Sequence, residues 1–160
     1  MKKSRKLLAL FLCAVVVLGV SLLLPSSARA AEEPIPQLLW TKDNNTLTFL
    51  CADTLYQEGD NYGEYPVTKV WSGEKVTNCV TIPGWYSGAG SAVHKVVFDA
   101  SFAGVKPTST AYWLYGLSSL ASIEGLEYLD SSNVTNMKGM FENCAGLISL
   151  DLSGFDTSNV

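Results

Sequence analysis

The feature that most constrains this chain is that its second half repeats its own pattern at a constant offset. Val93-x-x-Val96 returns as Leu120-x-x-Ile123 and again as Leu147-x-x-Leu150, so the numbering advances by 27 at each step. The same offset pairs Thr108 with Thr135, Trp113 with Met140, Leu114 with Phe141 and Leu117 with Cys144. Farther on the offset shortens to 26, pairing Leu126 with Leu152, Leu129 with Phe155 and the stretch 130–134 with 156–160. A one-residue change belongs in a turn, where length costs little. A unit this short leaves its own apolar face open, so neighbouring units must stack to bury it.

A period of this length falls in the range of about 20–29 residues found in leucine-rich repeats. Leu147, Leu150, Leu152 and Phe155 fit the L-x-x-L-x-L-x-x-φ pattern. Alternation predicts a short strand with Leu150 and Leu152 inward and Ser149, Asp151 and Ser153 outward. Val134, Met137, Met140, Phe141 and Cys144 form a stripe that predicts a short helix over 133–144, with Asn133 or Thr135 as its cap. The expected fold class is therefore α/β, a short leucine-rich-repeat solenoid with one strand plus a short helix per repeat. It covers residues 93–160, with the last repeat incomplete. Residues 31–92 read differently: a turn at Asn44 and Asn45, strands over 46–50 and 67–71, and a stretch rich in Gly, Tyr, Trp and Asn. That region is expected to be a small β-rich N-terminal cap over the first repeat.

Residues 1–30 read as a signal peptide. Lys2, Lys3, Arg5 and Lys6 precede an apolar run over 7–24, and Pro25 is followed by the small residues Ala28 and Ala30, with cleavage expected before Ala31. An uncleaved membrane anchor is the rival reading of the apolar run. Cleavage would leave six basic against fifteen acidic residues, a net charge of −9, so nucleic acid and anionic membrane are excluded as partners. The mature part would carry Cys51, Cys79 and Cys144. A Cys51–Cys79 disulfide with one free thiol is open to it, and the spacings match no zinc site.

The stretches 133–137, 139–144 and 147–160 resemble the repeat of BspA-like leucine-rich-repeat surface proteins. Residues 96–102, 107–113 and 123–129 are similar to the segment that leads into those repeats, so the resemblance covers 93–160. It implies export to the cell surface and adhesion to a host or matrix partner. Family members often continue through many repeats to a wall-attachment segment. Against that pattern the chain stops at Val160, before the last repeat's closing helix, and a truncated surface protein is expected.

The residues carry no catalytic grouping that sequence can show. His94 stands alone at a strand start, with no Ser or Cys motif near it, and a general base needs a positioned nucleophile. No phosphate loop and no cofactor motif occur. The candidate binding residues are Ser122, Glu124, Ser149 and Asp151, expected to stack in adjacent strands on a concave face. There Glu124 would lie on Asp151 and repel it. Trp85 and Tyr86, beside glycines, are candidates for stacking on a glycan. The expected function is a surface adhesion module towards an extracellular protein or glycan. The alternative is a passive leader or remnant that binds nothing. Oligomeric state stays open.

Overall fold

The reversal between Thr41 and Thr46 organises the sheet. A 3-10 turn over Lys42–Asn44 ends at Asn45, whose φ of 53° is left-handed and whose N–H donates to Lys42 O. Asparagine tolerates that conformation because its short amide bonds locally. The turn joins two antiparallel strands, β1 (Ile35–Thr41) and β2 (Thr46–Ala52), paired from Ile35↔Ala52 to Thr41↔Thr46. The computed structural model describes residues 34–160, so the signal peptide expected at 1–30 lies outside the described residues.

Three more strands extend this hairpin. β5 (Lys69–Ser72) pairs antiparallel with the outer edge of β1, and β7 (Lys95–Phe98) lies parallel to β2. β9 (Ser122–Glu124) lies parallel to β7, giving the order β5-β1-β2-β7-β9. Two short pairs flank this mixed sheet: the hairpin β3 (Asn61–Tyr62) with β4 (Tyr65–Pro66), and the parallel β6 (Asn78–Cys79) with β8 (Ser109–Thr110). The α-helical segments described are α1 (Glu74–Thr77) and α2 (Gly84–Ala89), each under two turns long.

Alternation along the strands divides the apolar residues between two faces. Leu38, Trp40, Leu47, Phe49, Val96 and Phe98 enter the main core, while Leu39 and Leu50 join Val67 in a smaller cluster behind the sheet. The centre of the main core is an aromatic stack. Phe49 lies nearly parallel to Phe98 with centroids 4.6 Å apart, and Trp113 stacks on Phe49 at 4.8 Å. Phe102 closes the group edge-on. Behind the sheet the fully buried Gln37 meets its polar needs with the 53–56 loop. Its Nε2 donates to Thr54 O, and its Oε1 accepts from Tyr56 N–H.

The expected α/β solenoid of strand-plus-helix repeats is overturned: the chain is a small sheet-dominated domain built on the five-stranded mixed sheet. No helix forms over 133–144, where the chain runs through successive turns. Met140, Glu142, Cys144 and Leu147 each donate their N–H to the carbonyl three residues back. Such turns place every third side chain on one side, which imitates a helical stripe. Gly139 and Asn143 at φ 62° also leave the right-handed helical region. The backbone pairs instead with the preceding segment. Ser109 bridges Asn136, its counterpart one sequence offset farther on. Thr110, Tyr112, Leu114 and Gly116 donate to the carbonyls of Asn136, Lys138, Met140 and Glu142 at 2.8–3.0 Å.

Nor do residues 147–153 form a strand. Asp151 accepts the N–H of Ser153 and bends the chain there. Leu152, expected inside, is 42% exposed. The sheet also runs without interruption across residues 92 and 93, because β2 of the expected cap pairs with β7 of the expected repeats.

Trp113 is fully buried against three aromatic rings. Trp113→Ala is expected to cost about 3–5 kcal/mol in urea unfolding. Ile148→Ser, at a side chain 99% exposed, should change stability by less than about 0.5 kcal/mol.

Candidate functional site

The residues nominated as one outward face fall in two places. Ser122 and Glu124 lie exposed on β9, the last strand of the sheet. Lys95 is the register partner of Ser122 and diagonal to Glu124, and its Nζ lies 2.7 Å from the Glu124 carboxylate. Both side chains are substantially exposed, so the pair is worth about 0–1 kcal/mol. Glu124 is thus paired with a cation within the sheet, and no strand ladder joins β9 to the segment that carries Asp151. A repulsion argued from the offset alone missed the cation one strand earlier.

Ser149 and Asp151 line a groove of about 390 Å³ between β9 and the 149–155 segment. Ile123, Leu126, Leu150 and Phe155 supply its apolar surface, and Glu127 adds a second carboxylate. Ser122 and Glu124 do not line it, because alternation turns Ile123 to the opposite face. Glu127 and Asp151 have no ion-pair partner among the described residues.

Gly125 allows the turn that leaves β9. Its φ is 68°, and a Cβ there would collide with the Phe98 carbonyl oxygen. An Asp-x-Ser turn recurs along the chain, and its Asp151–Ser153 copy lines the groove. Asp99, Asp130, Asp151 and Asp156 each accept the N–H of the serine two residues on, at 2.9–3.0 Å. Those serine hydrogen bonds favour the charged carboxylate and hold all four below the usual aspartate range. Asp99 also accepts from the Tyr62 hydroxyl at 3.3 Å. Burial and the Asp99 charge push that phenol up to about 12.

Trp85 is 2% exposed, its indole N–H donating to Trp113 O and its ring edge-on to Trp71. It offers no face to a sugar. Tyr86 is 39% exposed and packs against Tyr115, which meets Tyr112 edge-on, with the Lys138 ammonium over the Tyr112 ring. Sequence reasoning missed Tyr115; its signal was the Tyr112-x-x-Tyr115 spacing, which a three-residue turn brings to one side. Cys51, Cys79 and Cys144 are free thiols, so the Cys51–Cys79 pairing left open by the sequence is not formed. Cys79 Sγ donates to Thr81 O and Cys144 Sγ to Leu114 O. Burial pushes all three thiols up and keeps them protonated. Among the described residues no group of three His, Cys, Asp or Glu side chains could hold a metal ion. His94 is exposed, and its carbonyl accepts from Ala121 N–H at the start of β9.

The four lowered aspartates contribute to the acid limb of stability, Asp99 most, because solvent screens the fully exposed Asp151 and Asp156. Their folded-state values lie below the unfolded value near 3.9, so their stabilisation is present above about pH 4. It is lost as the pH falls through the folded values. Urea unfolding across that range should show wild-type stability dropping. Asp99→Asn should drop less steeply, because Asp99 is the most buried of the four. An identical slope would remove Asp99 from this account.

Comparison with protein-family models, curated proteins and solved structures finds no match for this chain.

Proposed function

We propose that this is an exported, non-enzymatic surface protein whose acidic groove beside β9 meets an extracellular partner. The groove is the observation that carries the reading. It combines half-buried apolar side chains (Ile123, Leu126, Leu150, Phe155) with two carboxylates that lack an ion-pair partner among the described residues, Glu127 and Asp151. Apolar surface rimmed by unneutralised charge is characteristic of a contact surface for another molecule. The basic and apolar sequence before Ala31 supports export, and the resemblance of residues 93–160 to BspA-like surface proteins supports adhesion. Extracellular protein or glycan is the partner class. Among the described residues, no helix is long and apolar enough to cross a membrane.

Two measurements test the reading. Terminal sequencing of the protein recovered outside the cell should begin at Ala31. Full-length protein retained in the membrane would refute cleavage there. The secreted chain should be retained on immobilised extracellular-matrix proteins or on a glycan array. Charge reversal of Glu127 and Asp151 to Lys should weaken retention by about tenfold or more, as truncating charges at an interface does. No retention on either surface would make the chain a passive leader. Retention unchanged by the reversal would move the contact away from the groove.

A further inference from the structure

β9 is hydrogen-bonded along one edge. Ser122 N–H points to His94 O in the β7 direction, and no strand lies on the other side among the described residues. In a parallel strand the next residue turns its N–H and C=O the opposite way. Ile123 therefore presents a donor and an acceptor to the groove, where neither has a partner among the described residues. The segment one sequence offset farther on, 149–151, lines the far side of the same groove without pairing to β9. A sheet edge in this condition is a template for one more extended chain.

Resting on the reading above, we infer that the open edge of β9 takes a cationic, extended peptide segment of the partner protein as an added strand. Its backbone meets the N–H and C=O of Ile123. Its alternate side chains meet the apolar lining at Leu126, Leu150 and Phe155, and the carboxylates of Glu127 and Asp151. The volume of about 390 Å³ exceeds that of a single ordered water, near 30 Å³, by roughly tenfold and admits side chains.

Charge selects the occupant. Residues 107–160 hold one basic residue, Lys138, against six acidic ones. Lys106 lies near Asp130 and Lys95 near Glu124, which leaves Glu127 and Asp151 for an outside cation. A second copy would bring the same acidic edge and repel. A glycan would leave the Ile123 backbone pair without the regular spacing that another strand supplies.

The test uses the full secreted chain and a synthetic peptide of about eight residues alternating Lys and Val, a typical strand length. Three peptides are titrated by fluorescence anisotropy: this one, a Glu/Val counterpart, and a Lys/Val peptide N-methylated at alternate amides. The Lys/Val peptide should bind and weaken as salt is raised from about 0.05 M to 0.5 M. The Glu/Val peptide should not bind. N-methylation should cost at least about tenfold, because it removes the ladder donors while keeping the charge. Asp151→Lys and Glu127→Lys should each weaken binding, with Ile148→Ser as the unaffected control. Equal binding of the N-methylated peptide would reduce the contact to charge attraction and overturn strand addition. A concentration-dependent dimer dispersed by Asp151→Lys would hand the edge to a second copy and overturn it too. Matrix retention that persists without Lys/Val binding would sink this inference alone, whereas peptide binding without matrix retention would sink the adhesion reading.

Discussion

The backbone hydrogen bonds between segments one sequence offset apart are the constraint on which the second half of this molecule depends. Lys95 lies beside Ser122, and Ser109 beside Asn136, each pair at that separation. Farther on, the side-chain amide of Asn159 donates to the carbonyl of Ser132 at the same offset. A donor committed to the neighbouring segment is not free to bond four residues back, so the segments stay extended or turned. Their apolar side chains reach the core from the turns, and Trp113, Leu114, Leu117 and Met140 are buried in that way. The aromatic stack on Phe49 then welds these turns to the hairpin β1–β2.

The sequence carried the spacing of this arrangement but not its local geometry. Val96 and Ile123 lie side by side in β7 and β9. Leu150 holds the next position of that series, yet its segment lines the groove beside β9 without pairing to it. The stripe from Val134 to Cys144 could not be told from a helix by periodicity. Helices and strings of three-residue turns both return side chains to one face near every third residue. Strands near 46–50 and 67–71 were visible in their alternation, whereas β1 went unseen. Leu38, Leu39 and Trp40 are consecutive buried residues, and a strand covered on both faces loses the alternating pattern.

The site was half legible for a similar reason. Offset alone grouped Ser122, Glu124, Ser149 and Asp151 on one concave face, without weighing Lys95, whose ammonium meets Glu124 from the preceding strand. Composition favoured Trp85 and Tyr86 together because both flank glycines, yet helix α2 turns one inward and the other out. Side-chain direction within so short a helix depends on what it packs against, here Trp71 and Tyr115. Nothing in the local sequence records those partners.

The mixed direction of the sheet also orders the events of its assembly. The β1–β2 hairpin closes through a loop of a few residues, so its pairing needs little chain entropy. The parallel ladder from Thr46↔Lys95 to Phe49↔Phe98 joins positions far apart in the chain, and it gains nothing until the whole intervening stretch has been gathered in. Contacts of that range slow folding, and strand edges stay bare while it proceeds. The hairpin contact is therefore the least costly in chain entropy, and the pairings of β7 and β9 the most costly.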